Sequence, residues 1–159
     1  MRIVGIDPGL QCTGWGVIGR EGQNFSYIAS GTIITKRAQS LDGRLYALHE
    51  GLLAAINEYQ PDAAAIEETF VNSNAKSSLL LGHVRGALIL TCMISGVKSF
   101  EQYSANHIKK TITGYGHADK GQMMRMLPYI INGIEMNDMT HDMVDALAIA
   151  ICHAYYINK

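Results

Sequence analysis

The spacing of apolar and polar residues predicts that this chain begins with strands and then alternates helices with strands. Near the N-terminus, short apolar runs separated by glycine and proline predict three strands, over residues 2–7, 13–20 and Asn24–Thr35. The connections between these runs are short, so an antiparallel meander is the simplest way to pair them.

After the meander, leucines at helical spacing predict a helix over Ser40–Tyr59, with Ser40 as its N-cap and Pro61 ending it. The run Asp62–Glu67 then predicts a strand parallel to the first one, since a helix provides the crossover. The later segments predict, in order, a helix over 75–95, a strand over Val97–Tyr103, a short basic helix over Ser104–Thr113, a turn over 114–117, a helix over 119–131, a loop over Asn132–Asp138, and a last helix over Thr140–Tyr156 with Thr140 as N-cap. We therefore expect one domain over residues 1–159, an α/β fold with a mixed five-stranded sheet.

Composition places the chain among globular proteins and narrows its cellular setting. Apolar residues make up 48% and charged residues 17% of the chain. Its three cysteines lie far apart and form no disulfide framework, which favours a reducing compartment. We see no signal peptide and no apolar run of the roughly 20 residues that a membrane span needs. We therefore expect a soluble cytoplasmic protein.

The net charge of −1 does not by itself indicate a nucleic-acid-binding protein. It does not exclude one either, because acidic residues gathered around metal ions count in the total but present a weaker negative field to a ligand. The positions of the cations matter more than their sum.

Four carboxylates stand at the ends of predicted buried elements. Asp7 ends the first strand, where a buried charge is costly unless it is paired or holds a cation. Glu67 and Glu68 end the fourth strand, and since adjacent strand residues face opposite sides, one of them faces Asp7. Asp142 and Asp145, spaced i, i+3, share a face of the last helix.

The four acids would repel one another in a core without metal, but together they form an oxygen-ligand set for hard divalent cations. Two such ions, about 4 Å apart, activate water and stabilise the leaving oxygen in phosphodiester hydrolysis. Each acid also has an ordinary alternative: Asp142 as a helix-dipole residue, Asp145 as a solvated charge, and Glu67 or Glu68 as the end of a strand. The combination of all four favours the metal site.

Seven blocks of the sequence, in their order and spacing over nearly the whole chain, resemble the RuvC-type Holliday-junction resolvases of bacteria. They are residues 5–9, 13–18, 65–70, 81–86, 108–111, 114–120 and 142–150. The resemblance implies a ribonuclease-H-like fold with helices on both faces of the sheet, and a homodimer that acts on four-way junction DNA. It implies paired symmetric nicks in DNA recombination and repair, with two Mg²⁺ ions per active site and Mn²⁺ as a substitute. A further implied partner is the branch-migration complex of RuvA and RuvB.

The resemblance also assigns roles to individual residues. Asp7, Glu67, Asp142 and Asp145 match the family's catalytic, metal-binding acids, which selects Glu67 over Glu68. Lys109 and Lys120 match basic positions near the catalytic centre that contact DNA, and Phe70 matches an aromatic that stacks on distorted bases. Phe70 could instead anchor its loop to the core. Further candidates for phosphate contacts are Arg85, Lys76 and Arg125, while His141 reads as a helix-start residue whose part in metal binding stays open.

Three alternatives remain at this stage. The hairpin over Gly5–Ile18 also resembles the first phosphate-binding hairpin of actin-like and sugar-kinase ATPases, although the chain has no second copy of it. A related ribonuclease-H-like nuclease acting on RNA is the second alternative. A non-catalytic junction-binding module is the third, and the presence of all four acids argues against it.

Overall fold

The fold is built on one mixed sheet, which the computed structural model describes together with its helices over residues 1–68 and 74–157. The strands are β1 (Arg2–Asp7), β2 (Cys12–Glu21), β3 (Asn24–Ile34), β4 (Ala63–Glu68), β5 (Ser99–Ser104) and β6 (Ile131–Asn132), in the spatial order β5-β4-β1-β2-β3-β6. The first three strands form the predicted antiparallel meander, and β4 runs parallel to β1 as predicted.

The sheet has six strands in the described part of the chain, so the prediction of five was wrong. The additional strand, β6, pairs in parallel with β3 through Phe25 and Ser26. The sequence pattern predicts a helix at Ile131 and a loop at Asn132. Two residues show no alternating pattern of their own, and this strand forms only because the chain passes beside the edge of the sheet.

The helices are α1 (Leu41–Tyr59), α2 (Ala75–Ile94), α3 (Ala105–Thr113), α4 (Lys120–Ile130) and α5 (His141–Tyr156). Their bounds agree with the predicted segments to within a residue or two. The predicted N-caps are confirmed, because the side chain of Ser40 accepts from the backbone N–H of Gly43 and that of Thr140 accepts from Met143.

Helices cover both faces of the sheet, as expected, and each face has its own apolar core. On β1, Ile3 belongs to the core beneath α3, α4 and α5, whereas Val4 and Ile6 belong to the core beneath α1 and α2. Because both faces of β1 are covered, the residues at its centre are apolar without alternation.

Glycines let α5 pack unusually close to β1 and β2. A Cβ on Gly5 would lie 2.0 Å from the carbonyl oxygen of Ala146, and a Cβ on Gly14 would lie 2.1 Å from that of Asp142. Only glycine allows a helix backbone to touch a strand in this way. The contact fixes the height of the first turns of α5 above the end of β1, where the predicted site lies.

Helix α2 differs from α5 because most of it is uncovered. Its buried residues are Val84, Leu88, Thr91 and Cys92. By length and composition α2 is the one helix in the described ranges that could cross a membrane, but the core helix of a soluble protein passes the same test.

Candidate active site

The carboxyl ends of two parallel strands bring Asp7 and Glu67 together. Ile6 of β1 pairs with Ile66 of β4. The next residue of each strand, Asp7 and Glu67, therefore lies at the carboxyl end of these two neighbouring strands. Both point to the face covered by α5, because they follow in register after Gly5 and Ala65. Glu68 is exposed on the other face.

Helix α5 adds the other two acids to this edge. Asp7 lies directly opposite Gly14 in the β1–β2 pair, and the missing side chain of Gly14 leaves room for the backbone of Asp142. Asp145 lies one turn farther along the helix. The close approach described above therefore carries Asp142 and Asp145 to the end of β1, next to Asp7.

Two of the acids, Asp7 and Glu67, have raised pKa values because of burial and the charges of neighbouring acids. Burial, followed by the charges of Asp145, Glu67 and Asp142 in that order, raises the pKa of Asp7 from its ordinary value of 3.8 to about 7. Burial also raises the pKa of Glu67, again with a contribution from Asp145. These four acids therefore form one electrostatic unit.

Two lysines flank the acids, and both were predicted. Lys120, the first residue of α4, places its Nζ 3.4 Å from Oδ2 of Asp145. Lys109 on α3 lies close enough to Glu67 to oppose the rise in the pKa of that carboxyl. Asp119, the N-cap of α4 in a capping box with Gln122, holds the start of the helix that presents Lys120.

The donor set fits a hard divalent cation. It consists of four carboxylates, the ligands that Mg²⁺ and Mn²⁺ prefer, and their mutual repulsion is relieved by positive charge. Among residues 1–68 and 74–157, no three His, Cys, Asp or Glu side chains are already gathered as tightly as a bound ion requires.

One further residue at the acids was missed by the sequence reasoning. The thiol of Cys12, the first residue of β2, donates to Oδ2 of Asp142 across 3.1 Å. Burial, this hydrogen bond and the neighbouring charge raise the pKa of the thiol to about 11, so it is a donor at neutral pH. The available signal was the spacing of Cys12, Gly14 and Gly16, which puts Cys12 on the strand face that α5 covers.

The remaining predicted residues lie outside this cluster. Phe70 falls outside the described residues. The guanidinium of Arg85 on α2 donates to Gln102 of β5, which belongs to the sheet face opposite the acids. Lys76 and Arg125 are exposed at the start of α2 and on α4, and His141 is exposed as the first residue of α5.

The sequence of this chain matches a known protein family. Residues 3–153 match the family model described as crossover junction endodeoxyribonuclease RuvC. Proteins of the same description are similar over 98% of this chain: that of Afipia carboxidovorans is 45% identical with 90% of its own length covered, and that of Wolbachia pipientis wMel is 43% identical with 94% covered.

Two solved structures of Holliday junction resolvases superpose on most of this chain. The RuvC of Thermus thermophilus in complex with a Holliday junction substrate is 28% identical and superposes with a TM-score of 0.87, covering 98% of this chain and 94% of that one. The yeast mitochondrial Holliday junction resolvase Ydc2 shares the fold at 13% identity, with a TM-score of 0.66 over 98% of this chain and 81% of that one. A match over nearly the whole sequence, on a fold that gathers four acids at one edge of the sheet, identifies this chain as a member of the RuvC family of crossover junction endodeoxyribonucleases.

Proposed function

We propose that this chain is a cytoplasmic endonuclease that resolves four-way DNA junctions by paired, symmetric nicks during recombination and repair. The observation that carries the proposal is the set of four acids on β1, β4 and α5, which interact electrostatically and have lysines on either side. The names of the curated relatives and of the Thermus structure support a junction as the substrate.

In this proposal Asp7, Glu67, Asp142 and Asp145 hold two Mg²⁺ ions, for which Mn²⁺ substitutes. When bound, the ions supply activation of water and stabilisation of the leaving oxygen. Lys120 and Lys109 stand where they can hold a phosphate oxygen by charge and hydrogen bonding, which orients the DNA strand over the acids. Phe70 stacks on a distorted base, and Arg85 contacts the DNA backbone.

The active form in this proposal is a homodimer that packs through α2. Several large apolar side chains on this helix are exposed, with Leu79 at 65%, Leu90 at 59% and Ile94 at 65% of their surface. An open groove of about 690 Å³ lies between α2 and Leu45 of α1. Gly82 and Gly86 have nothing within 4 Å of a Cβ position, so a second copy of α2 could approach closely there. The branch-migration complex of RuvA and RuvB would deliver the junction.

The test is to incubate the protein with a synthetic four-way junction, a linear duplex of the same sequence and a matched RNA duplex, each with Mg²⁺. We expect paired nicks at symmetric positions in the junction only. Equal cutting of the linear duplex would overturn the junction specificity, and preferred cutting of RNA would transfer the activity to the related class of RNA-cutting nucleases.

A matched pair of variants tests the role of the acids. Glu67→Gln should abolish cutting and leave junction binding largely intact, whereas Glu68→Gln, its neighbour on the other face of the sheet, should keep both. Loss of binding together with cutting in Glu67→Gln would mean that this carboxylate serves the fold or the DNA contact instead of the metal.

A further inference from the structure

Cys12 is the first residue of β2 and lies on the face of this strand that packs against α5. It begins a row of alternate residues of β2, Cys12, Gly14 and Gly16, that faces this helix. Gly14 and Gly16 are in contact distance of Asp142 and Leu147, and a Cβ on either would clash. Within these three residues, Cys12 is therefore the one that presents a side chain to the first turn of α5.

That side chain contacts an acid of the active site. Cys12 Sγ lies 3.1 Å from Oδ2 of Asp142, a residue 130 positions later in the chain. The thiol donates, since a carboxylate oxygen only accepts. The bond engages one of the two carboxylate oxygens of Asp142, Oδ2.

The backbone at this point has little freedom, because the carbonyl of Asp142 rests against Gly14. What remains variable is the rotation of the half-buried Asp142 side chain. A fixed donor beneath a carboxylate reduces that rotation, and such outer contacts are known to tune how tightly ligating groups hold a metal.

We propose that Cys12 is a positioning residue that orients the carboxylate of Asp142 for divalent-metal binding. The inference rests on the proposed function of Asp142 as a metal ligand. It assigns Cys12 no contact with DNA and no part in the chemical step.

The test compares three variants of Cys12. Serine keeps a donor, valine keeps the bulk without a donor, and alanine keeps neither. We expect the dissociation constant for Mn²⁺, measured by calorimetry without DNA, to rise by about three- to tenfold in Cys12→Val and Cys12→Ala, and to stay within about twofold in Cys12→Ser. The free energy of unfolding in chelator, measured alongside, shows whether any variant has lost its fold.

Junction cutting gives a second, independent readout. The Mg²⁺ concentration for half-maximal cutting should rise in the valine and alanine variants, while the rate at saturating Mg²⁺ stays near that of the unaltered chain. A kcat loss that excess metal does not restore would contradict a positioning role.

The outcomes separate the two proposals. If Cys12→Val behaves like the unaltered chain and only Cys12→Ala is impaired, Cys12 merely fills space and the inference is wrong. If all three variants bind Mn²⁺ equally well, the hydrogen bond has no effect and the inference is again wrong. If the unaltered chain binds Mn²⁺ but leaves the junction intact, the proposed function fails, whereas the calorimetric comparison still decides the role of Cys12.

Discussion

At the scale of single residues, the site consists of four acids that repel one another and lysines whose positive charge reduces that repulsion. The charges of Asp145, Glu67 and Asp142 raise the pKa of the buried Asp7 carboxyl, and the charge of Lys120 lowers it. Such a group destabilises the metal-free fold once it is ionised, and a bound divalent cation removes that penalty. In the proposed metal site, metal binding and stability of the fold would thus be linked through Asp7.

The linkage predicts how Asp7→Asn changes stability with pH. The pKa of Asp7 is about 7 in the folded protein and ordinarily 3.8. The folded protein holds this proton more tightly than the unfolded chain does. The contribution of Asp7 to the free energy of unfolding therefore falls as pH rises from about 4 to about 7, and it is constant below and above this range. In chelator, Asp7→Asn should therefore be more stable than the unaltered chain at pH 8, by on the order of 2 to 4 kcal/mol, with the gain shrinking toward zero near pH 4.

Chemical denaturation at pH 4, 6 and 8 measures this difference. Asp42→Asn provides the control: hydrogen bonding, first of all with the side chain of Ser40, lowers the pKa of this exposed carboxyl, so its replacement should give no gain in stability at pH 8. A stability difference for Asp7→Asn that is the same at all three pH values would show that the carboxyl is not held protonated by its neighbours.

At the scale of elements, the position of α5 decides whether the acids meet. The helix is buried along most of its length and rests on β1 and β2 through glycines, so its first turns cannot shift without moving the core. Interiors packed this closely respond to added volume with displacement and strain. The site therefore depends on residues that carry no functional group.

Gly14→Ala tests this dependence. The new Cβ would meet the carbonyl oxygen of Asp142 at 2.1 Å, so the first turn of α5 must move away. We expect a loss of about 3 kcal/mol or more in the free energy of unfolding, and a larger loss of metal affinity than of secondary structure.

Thermal denaturation, circular dichroism and Mn²⁺ calorimetry report the three quantities. The matched control is Gly43→Ala in the first turn of α1, where a Cβ would meet only the side chain of Ser40, at 3.3 Å, and helix propensity favours alanine by about 0.5–1 kcal/mol. Unchanged stability and metal binding in Gly14→Ala would mean that α5 has room to adjust.

At the scale of the whole molecule, two surfaces differ in character. One is the acidic edge, where the four acids lie beside Lys109 and Lys120. The other is an apolar strip along α2, formed by Leu79, Leu90 and Ile94. Four-way junctions have two-fold symmetry, so a dimer with two equivalent active sites would place one cut in each of two like strands. The apolar strip lies on α2, over the sheet face opposite to α5 and the acids. Dimerisation through α2 would leave both acidic edges open to DNA.

Leu79→Lys should convert the proposed dimer into a monomer, because a desolvated cation would replace an apolar side chain that lines the groove beside α2. Sedimentation equilibrium measures the mass of the unaltered chain and of the variant. Tyr129→Lys, which changes an apolar residue with 85% of its surface exposed on α4, should leave the mass unchanged. A monomeric unaltered chain that still makes paired nicks would contradict the need for this dimer.

Much of this protein was predictable from the sequence because the relevant signals are local. The periods of two and 3.6 residues indicated the meander, the crossover and the helices, and Ser40 and Thr140 were recognisable as caps from their own segments. The chemical types of Asp7, Glu67, Asp142 and Asp145, at the ends of predicted elements, pointed to a metal site before their distances were known.

The tertiary structure decided what depends on contacts between distant segments. It brought Lys120 to Asp145 and Cys12 to Asp142, and it added β6 to the edge of the sheet. None of these pairings leaves a periodic trace in the chain, because each arises where separately folded elements pack together. The sequence by itself determined which groups could bind a metal ion, and only the packing of α5 on the glycines of β1 and β2 decided that they would lie at one place.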